Sequence, residues 1–156
     1  MTPAAAPTWL QAMRTYLLGA MLLHAVWEVV QLPLYAIWSS ASAREIAFAV
    51  LHCTAGDALI AASALLASLL VAGSPQWPRS RFVTVALLAI LCGIGFTVYS
   101  EWRNTTVTRA WAYAASMPTL FGIGLAPVAQ WVFVPGIAFW WTRRRSDPRE
   151  IVARSA

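Results

Sequence analysis

Residues 16–38 read YLLGAMLLHAVWEVVQLPLYAIW, an apolar run that is interrupted by His24, Glu28 and Gln31. A helix needs about 20 mostly apolar residues to cross a bilayer, and this run is long enough. Three further runs, at about residues 46–72, 82–100 and 119–141, meet the same condition. The sequence therefore predicts an all-α integral membrane protein, a four-helix bundle that forms a single domain over residues 1–142.

The composition agrees with a membrane protein and disfavours other classes. Of the 156 residues 60% are hydrophobic and 11% are charged, and the mean hydropathy is +0.63. A soluble domain of this size has too much surface to hide so many apolar side chains, and it usually carries about 25% charged residues. The basic residues flank the apolar runs, which predicts membrane lipids as partners and no nucleic acid.

The distribution of arginine predicts the orientation, because cytoplasmic loops carry an excess of basic residues. Arg44, Arg103 and Arg109 lie on one side of the predicted membrane. The other eight arginines lie on the opposite side, and they are Arg14, Arg79, Arg81, Arg143, Arg144, Arg145, Arg149 and Arg154. We therefore expect both termini in the cytoplasm, with residues 143–156 as a basic cytoplasmic tail.

Polar residues inside the first predicted span carry the functional signal. His24, Glu28, Gln31 and Tyr35 follow one another at offsets of four, seven and eleven residues, which places them on one face of a helix. An ionisable group in hydrocarbon costs several kcal/mol, so this face is expected to turn toward the other helices. The alternative is a structural network of hydrogen bonds that holds the helices together.

The other predicted spans add polar and aromatic groups at a similar depth. Asp57 lies near the middle of the second span, where we expect it to be protonated or to pair with His24 or His52. Tyr99 is placed to reach the interior from the third span. The sequence predicts a cavity in the outer half of the bundle, where six residues meet: His24, Glu28, His52, Asp57, Glu101 and Trp131.

These residues resemble the EXPERA-domain family of emopamil-binding sterol isomerases and sigma-2-receptor-like proteins. The resemblance rests on His24 and Glu28 four residues apart, on an acid in the next span, Asp57, and on Trp131 shortly before a Pro-Gly pair. Val128 stands where the family has Asn, and Asp57 where the isomerases have Glu. The chain also resembles uncharacterised small bacterial membrane proteins, which implies the inner membrane of a bacterium.

The resemblance implies an isomerase-type enzyme that needs no cofactor and acts on an apolar sterol-like or isoprenoid ligand. A protonated carboxylic acid, Glu28 or Asp57, would protonate an alkene, and His24 would orient it or relay the proton. These three are the expected catalytic residues. The expected ligand-binding residues are Trp27, Gln31, Tyr35, His52, Tyr99, Glu101 and Trp131.

Two other functions remain open at this stage. His24 and His52 could ligate a b-type haem, or could hold metal ions together with Glu28, Asp57 and Glu101. A non-catalytic lipid-binding or assembly protein would use the same polar interior for structure or for carrying protons. The chain is too short for a twelve-span carrier, so a transport function would require a homo-oligomer.

Overall fold

The computed structural model describes residues 9–146. This part of the chain is mostly helical, and three of its helical stretches are long and apolar enough to cross a membrane. They are Trp9–Leu34, Ala43–Ala72 and Phe82–Val107. The prediction of a helical protein with membrane-spanning segments is confirmed at this level.

The elements of the described residues follow one another in a simple order. They are α1 (Trp9–Gln31), a 3₁₀ turn (Leu32–Leu34), α2 (Ile37–Ser40), α3 (Ala43–Ala72), α4 (Phe82–Trp102), a π-helical turn (Arg103–Val107), the strands β1 (Thr119–Leu120) and β2 (Ile123–Gly124), and α5 (Leu125–Ser146). The two strands pair antiparallel, with Thr119 opposite Gly124.

The first helix lies further toward the N-terminus than predicted. It begins at Trp9 and ends at Gln31, whereas the apolar run suggested residues 16–38. Pro33 explains the early end, because proline lacks an N–H group and disfavours helical backbone in the residue before it. The chain continues as a 3₁₀ turn, and Tyr35 adopts extended backbone. Tyr35 therefore does not share a helical face with His24 and Glu28, and that prediction is wrong.

The last helix also differs from the predicted span of residues 119–141. Residues 119–124 form the hairpin, in which Phe121 and Gly122 both have positive φ angles, and α5 begins only at Leu125. The helix then continues through Arg143, Arg144 and Arg145 to Ser146. The first residues of the expected tail are thus helical, while residues 147–156 lie outside the described part of the chain.

The four long helices pack side by side. Helix α1 contacts α3 and α5, and α4 contacts the same two helices from the opposite side. One end of this arrangement holds an apolar core, in which Tyr16 stacks on Phe139 at 4.1 Å and Leu65 and Val85 are fully buried. The other end holds the buried polar side chains His24, Glu28, Gln31, Thr97, Glu101 and Gln130.

Short backbone contacts fix the connections at this polar end. The Ala36 N–H donates to the carbonyl of Ala112 at 2.9 Å, and the Ala114 N–H donates to the carbonyl of Leu34 at 2.9 Å. The segment after α4 is therefore held against the connection between α1 and α3. Helix α3 begins with a capping box, in which Ser42 and Glu45 each accept from the other's backbone N–H.

Candidate functional site

The C-terminal half of α1 turns its polar face toward the other helices. His24 is fully buried and Glu28 is 8% exposed, while the neighbouring Val29 and Val30 point outward. Gln31 completes the face, and its amide donates to Glu28 Oε1 at 2.8 Å. The apolar side of α1 is thus left for lipid, as expected for a spanning helix with a polar interior face.

The amide of Gln130 on α5 joins the polar groups of three helices. Its Nε2 lies 3.0 Å from Glu28 Oε1, 2.8 Å from Asp57 Oδ2 and 2.9 Å from His24 Nδ1. His24 Nδ1 also lies 3.4 Å from Asp57 Oδ2. Of the two partners expected for Asp57, the structure therefore brings His24 to it. We call His24, Glu28, Asp57 and Gln130 the carboxyl cluster.

The hydrogens of the carboxyl cluster can be counted. An amide NH₂ group supplies two hydrogens, but three possible acceptors surround Gln130 Nε2. The arrangement is satisfied when Gln130 donates to both carboxyl groups and His24 carries its hydrogen on Nδ1, directed at Asp57. His24 Nε2 is then an acceptor, and it is buried without a hydrogen-bond partner.

A cavity of about 1350 Å³ adjoins the carboxyl cluster. Glu28, Asp57 and Gln130 form its polar wall, and Trp131 forms an aromatic wall beside them. The Trp131 ring is 1% exposed and lies 4.9 Å from the His24 ring, measured between centroids. One cavity therefore joins the polar face of α1 to Trp131, and its volume is large enough for a lipid-sized ligand.

A second polar group lines the cavity around Glu101, at the end of α4. Tyr35 donates its hydroxyl to Glu101 Oε1 at 3.4 Å, and Tyr113 donates to Oε2. The Tyr113 oxygen in turn accepts the Gly124 N–H at 2.9 Å. Burial raises the pKa of the Tyr113 phenol, and its hydrogen bond to Glu101 raises that pKa further, so the phenol stays a donor.

Removing the Tyr113 hydroxyl is expected to destabilise the protein. Tyr113→Phe leaves buried Glu101 with one donor fewer and the Gly124 N–H without its acceptor, which should lower the free energy of unfolding by about 2 kcal/mol. Tyr99→Phe is the matched control, because Tyr99 is exposed. Unfolding in detergent micelles measures both variants, and equal losses would contradict this role for Tyr113.

Comparison with known proteins gives no further guidance, since no family model, curated protein or solved structure matches this chain.

Two of the residues expected to bind ligand lie outside the cavity. Tyr99 is 53% exposed and contacts Phe96 and Trp102, so the prediction that it reaches the interior is wrong. Trp27 is half-buried against Phe133 and does not line the cavity. His52 lines the cavity with an exposed side chain. These positions follow from the angle of each residue around its helix.

Gln31, Tyr35, Glu101 and Trp131, which were also expected to bind ligand, line the cavity as well. Tyr35 does so from the extended segment after α1 and forms an isolated bridge with Tyr113.

Sequence reasoning left Gln130 and Tyr113 out of the site. Gln130 is a polar side chain within a predicted span, and it is buried. Burying such a group without a partner costs free energy, and this cost, which pointed to Glu28, points to Gln130 as well. Tyr113 gives no such signal, because it lies in the polar connection after α4, 12 residues beyond Glu101 in the sequence. Its role depends on how the segment after α4 folds back.

The geometry favours neither of the expected metal sites. Within residues 9–146, no group of three or more His, Cys, Asp and Glu side chains is arranged to hold a metal ion. His24 is buried beside Trp131, whereas His52 is exposed and stacks on Phe48 at 5.8 Å. The two histidines thus have different surroundings, which gives no support to a shared haem.

Proposed function

We propose that this chain is a four-span protein of the bacterial inner membrane that binds an apolar isoprenoid- or sterol-like lipid and isomerises it by acid–base chemistry. Helix α5 packs against α1 and α4, and its apolar part, residues 125–141, is about 26 Å long, which is close to the hydrocarbon thickness and supports a fourth span. The arginines of α5 and of the connection between α3 and α4 support cytoplasmic termini.

The observation that carries the proposal is the meeting of two carboxyl groups at one amide. Glu28 and Asp57 come from different helices, and Gln130 Nε2 donates to both of them at the wall of the cavity. Two carboxyl groups that share a buried site seldom ionise together, because each charge disfavours the other. The pair then offers one proton donor and one proton acceptor.

The chemistry requires nothing beyond this pair. The protonated carboxyl gives its hydrogen to one carbon of an alkene, so that a C–H bond forms and the neighbouring carbon becomes a cation. The cation then loses a different proton to a carboxylate, and the double bond has moved without oxidation or reduction. Trp131 supports this step, because the face of an indole ring attracts positive charge.

The rim of the cavity supports an apolar ligand. Phe48, Leu59 and Phe96 line the cavity and are also exposed at the surface of their helices. In a membrane such side chains face lipid, so a ligand dissolved in the bilayer can enter without crossing water. The EXPERA resemblance points to the same class of ligand, and it remains part of the proposal.

The proposal predicts deuterium transfer to a lipid. The protein is reconstituted in liposomes that contain sterol and isoprenoid alkenes, the water is replaced by D₂O, and the extracted lipids are analysed by mass spectrometry. We expect an isomer that carries one deuterium. Glu28→Gln and Asp57→Asn should each reduce its formation by at least about 100-fold, since each removes a member of the acid–base pair.

Tyr99→Phe is the control, because Tyr99 is exposed and does not line the cavity. It should retain the rate of the wild type. Binding of the same lipids by all four proteins without any deuterium uptake would overturn the isomerase and would favour a lipid-binding protein.

A further inference from the structure

Arginines gather at the opposite end of the molecule from the cavity, around the turn between α3 and α4. Arg79 and Arg81 are exposed on this turn. Arg143 reaches it from α5, since its guanidinium carbon lies 5.9 Å from the centre of the Phe82 ring. Within residues 9–146 none of these three arginines forms an ion pair with a carboxylate. Such a cluster of like charges is stabilised by an anion from outside the chain.

The start of α4 adds backbone donors to the same place. The helix begins at Phe82, Arg81 occupies the N-cap position, and no side chain accepts from the first N–H groups. These groups have no partner within a helix, and the helix dipole makes this end positive. Helix N-termini of this kind bind phosphate groups.

A buried donor without a partner lies beside this helix end. Trp77 is 3% exposed, and its indole N–H has no hydrogen-bond partner. The Trp77 ring lies parallel to the Phe82 ring, with 6.3 Å between centroids. A buried N–H that lacks an acceptor is costly, and an oxygen of a bound anion would remove that cost. This observation is independent of the arginines.

We propose that the turn between α3 and α4, together with Arg143, binds the phosphate of an anionic phospholipid headgroup. The neighbouring end of α5 favours a lipid over a free anion. There Trp140 and Trp141 are exposed, and Arg144 and Arg145 lie over their rings at 4.2 Å and 5.1 Å. Exposed tryptophans of this kind lie at the level of the headgroups.

The test compares lipid retention by the full chain in nanodiscs of phosphatidylglycerol or phosphatidylcholine, measured by native mass spectrometry. We expect the wild type to retain phosphatidylglycerol, and the double variant Arg81→Gln/Arg143→Gln to retain it about tenfold more weakly. Arg103→Gln/Arg109→Gln loses the same charge at the opposite end of the molecule, because both exposed arginines follow the end of α4. It should change retention by less than about twofold.

A second variant keeps the proposal testable if the double variant does not fold. Trp77→Phe keeps the aromatic ring and removes the N–H, so it should weaken the retention of phosphatidylglycerol while the helix content is unchanged. If both arginine double variants retained phosphatidylglycerol equally weakly, total surface charge and not this site would explain the retention, and the proposal would be overturned. Displacement of the lipid by inorganic phosphate at comparable concentrations would identify a free-anion site and overturn it as well.

Discussion

Replacing Gly93 with alanine is expected to lower the free energy of unfolding by about 3 kcal/mol. An ideal Cβ atom on Gly93 would lie 2.0 Å from Cε3 and 2.5 Å from Cζ3 of Trp131. The indole ring is rigid and buried between α4 and α5, so it cannot yield as the end of a flexible side chain would. The variant must therefore separate the two helices or move Trp131 away from His24.

Gly95→Ala provides the control for this prediction on the same helix. A Cβ atom on Gly95 would meet nothing within 4 Å, and alanine favours the helix over glycine by up to about 1 kcal/mol. We therefore expect Gly95→Ala to be neutral or slightly stabilising. Titration with SDS in mixed micelles measures both free energies of unfolding, and similar values for the two variants would show that Trp131 does not depend on Gly93.

Replacing Gln130 with leucine is expected to have a comparable effect, a loss of about 3 kcal/mol. The variant removes the amide that donates to Glu28, which is buried, and to Asp57, which is half-buried, and replaces it with a side chain that cannot donate. The same SDS titration measures this loss.

A double-mutant cycle tests whether the loss arises in the carboxyl cluster. Combining Gln130→Leu with Glu28→Gln removes one carboxyl group, so the double variant should lose less stability than the sum of the two single variants. We expect a coupling of about 1–2 kcal/mol between the two positions. Strictly additive losses would mean that Gln130 stabilises the protein independently of Glu28.

Several properties of the protein follow from local sequence alone. Long apolar runs predict helices wherever they occur, because a helix satisfies all its backbone hydrogen bonds within one segment. The spacing of His24, Glu28 and Gln31 predicts one buried face, because residues three or four apart lie on the same side of a helix and ionisable groups avoid hydrocarbon. The ends of the first and last helices were less predictable, since Pro33 and the hairpin at residues 119–124 interrupt runs that are apolar throughout.

The partners of each side chain could not be read in this way. Asp57 had two possible partners, His52 on its own helix and His24 on α1. Only the packing of α1 against α3 brings His24 to it. Tyr99 and Trp131 are both aromatic residues in predicted spans, yet one faces outward and the other is buried. Helix periodicity gives the angle between residues on one helix, but not the direction in which that helix faces.

The sequence by itself determined that the chain prefers lipid, that it forms long helices, and that α1 carries ionisable groups which must avoid hydrocarbon. Only the tertiary structure decided that Gln130 joins Glu28 to Asp57, that Gly93 leaves room for Trp131, and that Tyr113 reaches Glu101. The physical reason is that apolar burial and helical hydrogen bonds depend on neighbours in the chain. Contacts between helices depend instead on their rotation and packing, which every side chain of the interface sets together.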